Sequence, residues 1–419
     1  MIRLPVALSF AASVAALMLA VPVSGAERVH GDAKLMAAAT AARASELSLL
    51  EQIVNIDSGT FNVEGGEKIQ GILADRLKAM GAAVELIPAE APGLPPNLVA
   101  TFTGKGKGRV LLIGHVDTVL EKGEAARRPF KVVGDTASGP GVMDEKGGVV
   151  TGITALQLLH DLKRTDYGKI TFLIETSEED GSTGTRRLID RLVREHDVEL
   201  NLEPEYPDTL TVWRKSSANL VIRVHGKPAH AGMEPQNGRN AADELMHQIQ
   251  LMEGAFPRSG DHITVNLTLL KAGSRSNIIP EFAEATLNVR GRTLEEMESV
   301  GARARDFAAH PEVSDTKVEI TYSSSFPPLV ANDRVLRIAA EANRARAEFN
   351  GGTYRLYGNG GASESALADA AGTPTLDGLG STGSGAHTPQ ESLDLKSYTE
   401  RLYVLTRLIE AYGARPPSK

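Results

Sequence analysis

The sequence contains no cysteine. Disulfides, thiolate metal sites and cysteine nucleophiles are therefore excluded, and any metal must be held by His, Asp and Glu. It also has no excess of positive charge. Its 45 basic residues stand against 53 acidic ones, for a formal net charge of -8. With no basic stripe to offset that balance, nucleic acid is not its main partner. Beyond the N-terminus no stretch is apolar for long enough to span a bilayer. Internal repeats and low-complexity linkers are absent as well. The 419 residues correspond to roughly two domains at about 100–200 residues each.

The N-terminus reads as an address rather than as part of the fold. Arg3 supplies a positive start, Leu4 to Val21 is apolar and small, and Ser24-Gly25-Ala26 offers the small side chains that a signal peptidase reads. Cleavage after Ala26 would leave an exported chain beginning near Glu27, periplasmic or secreted and free of the membrane.

The stretch around which the rest is organised is Gly114-His115-Val116-Asp117-Thr118, directly behind Arg109-Val110-Leu111-Leu112-Ile113. The apolar run reads as a buried strand. A His and an Asp then emerge at its C-terminal end, the edge at which open parallel sheets bind ligands. The imidazole can ligate a metal through one nitrogen while the carboxylate orients it from behind.

Helical patterns precede it, from Ser45 to Val54 and from Glu67 to Met80, and strands are expected at Val84–Ile87 and Leu98–Phe102. After it comes the glycine-rich turn Gly139-Pro140-Gly141-Val142-Met143-Asp144-Glu145-Lys146-Gly147-Gly148, leading into a helix with Val149, Ile153, Leu156 and Leu159 on one side. Strand Ile170–Ile174 ends in Glu175-Thr176-Ser177-Glu178-Glu179, and a strand around Val198–Leu202 ends in Glu203-Pro204. Strands alternating with helices of this length predict a doubly wound α/β sheet.

Near Trp213 the pattern changes. Strand Leu220–Val224, helix Ala241–Met252, strands Ile263–Leu269 and Phe282–Val289, helix Leu294–Phe307 and strand Val318–Tyr322 give the ferredoxin-like order βαββαβ. After Pro327-Pro328 the α/β pattern resumes, with helices at Val335–Ala342 and Tyr398–Tyr412. The expected plan is thus an α/β domain over 27–214 and 326–419, interrupted by an inserted α+β domain over 215–325.

Two histidines and four acids stand out: His115, Asp144, Glu178, Glu179, Glu203 and His387. Each lies just after an apolar strand or in a glycine-rich turn. His and carboxylate ligands suit zinc, and a shared carboxylate can hold two ions about 3.5–4 Å apart.

The motifs resemble the zinc exopeptidase family that includes glucarpidase, aminoacylase, acetylornithine deacetylase and succinyl-diaminopimelate desuccinylase, most nearly its folate-hydrolysing glutamate carboxypeptidase branch. The matching stretches are His115-Val116-Asp117-Thr118-Val119, Gly139-Pro140-Gly141 through Asp144 to Gly148, Glu178-Glu179 with Gly181-Ser182, and Glu203-Pro204. Gly226-Lys227 with His230-Ala231-Gly232, Ser276-Asn277-Ile278-Ile279-Pro280 and the glycine-rich loop ending in His387 continue the match.

The resemblance implies a mixed-sheet metallopeptidase domain with a dimerisation (lid) insert and two zinc ions per subunit. Asp144 would bridge the ions, with His115 and Glu203 completing one and Glu179 and His387 the other. Asp117 would orient His115, and the Asp144–Glu145 peptide would be cis. Glu178 would be the general base, taking a proton from a water between the ions and returning it to the leaving amine. His230, and Asn277 with it, would complete the active site of the partner subunit in a homodimer. Arg290 would bind a substrate carboxylate, and Gly361 would line the substrate site.

Two departures bear on specificity. The loop reads Gly361-Ala362-Ser363-Glu364 where that branch carries Gly-Thr-Asp, so the longer Glu364 is expected to reshape the pocket. The segment Tyr322-Ser323-Ser324-Ser325-Phe326 has no arginine. The implied reaction is hydrolysis of the amide to a C-terminal amino acid, glutamate by the nearest branch, from a small N-acyl or peptidyl substrate. N-acyl-amino-acid deacylation is the alternative on the same machinery. A non-catalytic binding protein on this scaffold would have lost Glu178 or a ligand, and none is missing.

Overall fold

The computed structural model describes residues 31–416, and the expected export signal lies outside them. Six strands form the central sheet in the order Ala83–Ile87, Asn97–Thr103, Lys169–Glu175, Arg109–His115, Val198–Asn201, Thr375–Leu376. Asn97–Thr103 alone runs against its neighbours, and the other pairings are parallel. The strands read as continuous apolar runs because both faces are covered. Along Arg109–His115, Val110 and Leu112 enter one core while Leu111 and Ile113 enter the other.

The larger core is closed by helices Ala33–Val54, Val63–Ala79, Lys146–Asp161, Asp333–Asn350 and Tyr398–Ala414. Helices Arg186–Glu195 and Ser365–Ala370 close the smaller one. The architecture is therefore doubly wound α/β. Its first helix starts at Ala33, well before Ser45, with the Asp32 carboxylate accepting from the Leu35 amide at 3.0 Å. The alanine-rich early turns carry too few large apolar residues for periodicity to reveal them. Among the described residues no helix is long and apolar enough to cross a membrane.

Between Arg214 and Leu329 the chain makes a separate antiparallel sheet. Its order is Thr264–Ala272, Phe282–Gly291, Ser216–His225, Lys317–Phe326. Ala218, Leu220, Ile222 and Val224 turn inward against residues of helices Ala241–Ala255 and Leu294–Ala308, which leaves the intervening polar side chains on the opposite face. This is the ferredoxin-like arrangement. Arg214 and Leu329 exchange both backbone hydrogen bonds, at 3.1 and 3.2 Å, so the chain enters and leaves the insert at one point.

Two smaller sheets leave no sequence pattern. Strands Gly383–Ser384, Ser392–Asp394, Thr136–Ser138 and Lys131–Val133 pair in that order and frame the loop carrying His387. Strand Thr209–Arg214 runs parallel to Arg355–Asn359, placing Arg214 beside Asn359. Pieces this short contain too few alternations to register.

Candidate active site

Strand ends deliver the chemistry. His115 is the last residue of Arg109–His115, Glu178 and Glu179 open a short 3-10 turn just past Lys169–Glu175, and Glu203 follows Val198–Asn201. Asp144 sits in the glycine-rich turn before helix Lys146–Asp161. The Glu391 carboxylate holds that turn by accepting the amides of Gly141, Met143 and Asp144 at 2.8, 2.9 and 3.0 Å. The Asp144–Glu145 peptide is cis. Gly148 lets the helix start against the sheet, because a Cβ there would collide with the Leu202 carbonyl oxygen. His387 adopts φ 63°, a left-handed backbone uncommon outside glycine.

The side chains converge. His115 Nε2 lies 3.3 Å from Asp144 Oδ1 and 3.5 Å from Glu203 Oε1. His387 Nε2 lies 3.2 Å from Asp144 Oδ2 and 3.2 Å from Glu179 Oε1. Asp144 therefore faces a histidine with each of its oxygens. Glu178 Oε2 stands 4.0 Å from His115 Nε2. Asp117 is behind them: its carbonyl oxygen is 3.0 Å from His115 Nδ1 and its carboxylate 3.4 Å. That carboxylate also accepts the amides of Glu178 and Glu179 at 3.1 and 3.3 Å and the Thr60 hydroxyl at 2.8 Å. Asp117 thus braces His115 and the turn carrying Glu178 together.

Burial pushes the Glu178 carboxyl well above its ordinary range, and the neighbouring Glu203 adds to the effect. Burial raises Glu203 to about 7 against the pull of His115 and Arg214, and it raises Glu179 too. Burial also disfavours a charged His115, yet the carboxylates of Asp117, Asp144 and Glu203 outweigh it and raise the imidazole well above its usual value. Hydrogen bonds to Asp144 and Glu179 raise His387 to about 10. Buried His196 behaves in the opposite way: burial lowers it to about 4, and its nitrogens meet the Leu192 carbonyl at 2.6 Å and the Thr171 hydroxyl at 2.8 Å. The strand-end group is a crowd of acids that demands cations.

One atom states the demand most directly. His115 Nε2 is fully buried and has no hydrogen-bond partner, although carboxylate oxygens surround it. Buried polar groups are rarely left so, and a divalent ion would satisfy the nitrogen and the acids at once. His115, Asp144 and Glu179 form one set able to hold an ion, and His115, Glu145 and Glu203 another. The residues present fit zinc.

Several contributors escape a reading of the sequence. Glu145 is fully buried with Oε2 at 3.6 Å from His115 Nε2. Arg214 grips Asp377 through two bonds of 2.7 and 2.6 Å and reaches Glu203 at 3.4 Å. Only Glu175, buried at the end of its apolar strand, carried the same strand-end signal as the others. Glu364 is fully buried, accepts from Asn201 at 3.1 Å and brings a carboxylate oxygen beside those of Glu178 and Glu203. Beside the hinge segment that has no arginine of its own, Arg186 donates to the Ser325 carbonyl, and its guanidinium lies 4.4 Å from the Phe326 ring centroid.

The cluster opens into a cleft of about 700 Å³ between the strand ends and the insert. Arg290 and Gly361 line it. His230 and Asn277 do not. They sit together at an exposed turn of the insert, where the Ala231 amide donates to the Asn277 carbonyl at 3.0 Å. His230 Nδ1 accepts the Gly232 and Met233 amides, each at 3.2 Å, which leaves Nε2 as the outward donor.

A mixed α/β sheet whose strand ends gather two histidines and four acids beside a cleft defines a metal-dependent hydrolase. Residues 111–411 match peptidase family M20/M25/M40, and the chain belongs to that family. Carboxypeptidase G2 of Pseudomonas sp. (strain RS-16) is 32% identical over 386 residues, covering 91% of this chain and 93% of that protein. Succinyl-diaminopimelate desuccinylase of Methylobacterium radiotolerans is 28% identical over 364 residues, covering 81% and 91%. A metallo-carboxypeptidase of family M20 from Sulfolobus solfataricus shares the fold with a TM-score of 0.70 at 16% identity, covering 88% and 99%. The protein is an enzyme, a zinc-dependent hydrolase of the metallocarboxypeptidase and amidohydrolase kind.

Proposed function

We propose that this enzyme is a two-zinc exopeptidase that hydrolyses the amide bond to a C-terminal amino acid. The carrying observation is the His115 Nε2 atom, buried without a partner beside Asp144 and Glu203, with His387 on the other oxygen of Asp144. His115, Asp144 and Glu203 would hold one ion, and Asp144, Glu179 and His387 the second. Zinc bound there would supply an electrophile for the scissile carbonyl and an acidified water.

The chain's own groups do the rest. Glu178, raised by burial, takes a proton at its carboxylate and hands it to the leaving nitrogen. Asp117 keeps the Glu178 turn and His115 in register. Arg290, facing the cleft from the insert, binds the free carboxylate of the substrate. Glutamate as the released residue rests on the likeness to Carboxypeptidase G2. Deacylation of N-acyl amino acids is the alternative supported by the likeness to the desuccinylase, because both reactions cut an amide beside a carboxylate.

His230 and Asn277 act in the partner's site of a homodimer, where the outward Nε2 donor of His230 would stabilise the developing oxyanion. The outer strand Thr264–Ala272 supports such pairing. It is an edge unpaired among the described residues, carrying Leu269 and Leu270 at 66% and 58% exposure, a template for a second copy. The small-sidechain sequence ahead of Glu27 supports export to the periplasm or medium. The deciding experiment combines elemental analysis with a panel of dipeptides, folates and N-acyl amino acids. About two zinc ions per chain with hydrolysis next to a free carboxylate is expected. Full turnover by metal-free protein would end the reading.

A further inference from the structure

We propose that Glu391 is a positioning residue for the second zinc ion, because it fixes Asp144 and His387 relative to each other. The proposal rests on the two-ion reading of the site given above.

Asp144 and His387 are far apart in the chain, yet the segments that carry them leave one rung of a small sheet. Ser392 pairs with Ser138 on one side and with Ser384 on the other. The glycine-rich turn of Asp144 begins directly after Ser138, and the loop of His387 runs from Ser384 to Ser392. That loop is stiffened by its own bonds. The Thr388 hydroxyl donates to the Gly385 carbonyl at 2.7 Å and accepts the Gln390 amide at 3.2 Å, and the Glu391 amide donates to the Thr388 carbonyl at 3.2 Å. His387 and Glu391 therefore belong to one rigid piece.

Glu391 reaches from that piece into the turn. It is buried; Oε2 accepts the Gly141 amide, and Oε1 accepts those of Met143 and Asp144. Nearby, the Ser381 hydroxyl donates to the Met143 carbonyl at 3.0 Å, so Met143 is held at both its amide and its carbonyl. The separation of 3.2 Å between His387 Nε2 and Asp144 Oδ2 is thus set through the Glu391 carboxylate. His115 and Glu203 arrive instead from strand ends that Glu391 does not bond. Of the proposed ligands, Glu391 governs two of the three at the second ion and only the shared Asp144 at the first. Its loss should therefore fall unequally on the two ions.

Glu391→Gln isolates the effect, since it keeps the shape and turns one acceptor into a donor. Whichever way the amide lies, its NH2 faces a backbone N–H: that of Gly141, or those of Met143 and Asp144. Full-length holoenzyme is dialysed against graded zinc buffers, and the retained zinc is counted. The variant should hold its first ion as the wild type does and its second about 10–100-fold more weakly, the usual cost of losing a group that orients a metal ligand. Its kcat should be low in dilute zinc and return towards the wild-type value when zinc is raised. A merely structural role would weaken both ions alike, and added zinc would not restore kcat. Should Glu391→Gln not fold, Glu391→Asp, which retracts the carboxylate by one methylene, should show the same inequality. Equal weakening, no weakening, or a kcat that zinc does not restore overturns the proposal. Fewer than two ions on the wild type overturns the two-ion reading itself, and the role of Glu391 with it.

Discussion

On the strand-end side of the cleft, charge is crowded and withdrawn from water. His115 and Glu203 are buried, Asp144 and Glu179 are half-buried, and His115 Nε2 finds no hydrogen-bond partner among the described residues. On the insert side the groups are neutral except for Arg290, whose Nε donates to Asn288 Oδ1. Burying unpaired acids costs stability, and a fold retains them only where something else completes them. The strand-end side is therefore built for ions and reaction, and the insert side for holding a substrate. If that division is right, changes on the first side should act on metal content and kcat, and changes on the second on KM or on assembly.

The largest effect is expected at Asp144, which serves both proposed ions. Asp144→Asn should lose zinc from both positions by elemental analysis and reduce kcat by ~10⁴ or more, since each Lewis acid contributes several kcal/mol. Chelation of the wild-type enzyme should do the same, reversibly on zinc addition. Retention of two ions by Asp144→Asn would break the bridging role. Next comes Glu178→Gln, which keeps the shape and removes the base. Zinc should stay near wild-type levels while kcat falls by ~10²–10⁴. Loss of metal in step with activity would instead make Glu178 a ligand.

The two residues were legible in the sequence by different signals. An apolar run followed by a polar side chain marks the ligand edge of a parallel sheet, and His115, Glu178, Glu179 and Glu203 all follow such runs, whereas Asp144 was marked by its glycine-rich turn ahead of a helix. The alternation of Ser216–His225 and the helical periods around it gave the insert in the same way. What stayed hidden depends on distant partners. Arg214 meets Asp377 across 163 residues, and Glu391 reaches back to Gly141 across 250. Buried Glu145 looked like an ordinary loop acid because its neighbours exist only after folding. The contact of Arg186 with Ser325 could not be found near Ser325 in sequence, because Arg186 arrives from a helix of the other domain.

His230 tests whether the insert contributes chemistry to a second copy. Its exposed position outside its own cleft is what a group acting in trans requires. His230→Ala should lower kcat by ~10²–10³, the usual weight of one oxyanion donor. Mixed with Glu178→Gln chains under conditions of subunit exchange, the inactive protein should regain activity. Half of the dimers would then be mixed, each with one intact site, so about a quarter of wild-type sites should work at random pairing of a two-fold dimer. Proven exchange without recovery would place His230 in its own subunit's site or in none.

The smallest effect sharpens the division most. Burial lowers the Arg290 guanidinium pKa, against the opposing charge of Glu178, yet an arginine stays charged under such conditions. It is thus a partly dehydrated cation that waits for an anion from outside the chain. Arg290→Ala should raise KM by about 10–100-fold, the equivalent of roughly 1.5–3 kcal/mol for hydrogen bonds to a charged group, with kcat changed by no more than a few-fold and zinc unaffected. Arg290→Lys keeps the charge without the planar fork, so its KM should fall between the two. A loss confined to kcat would move Arg290 to the reacting end of the substrate. An unchanged KM would mean that the carboxylate is held elsewhere, and the insert wall would then lose its claim to recognition.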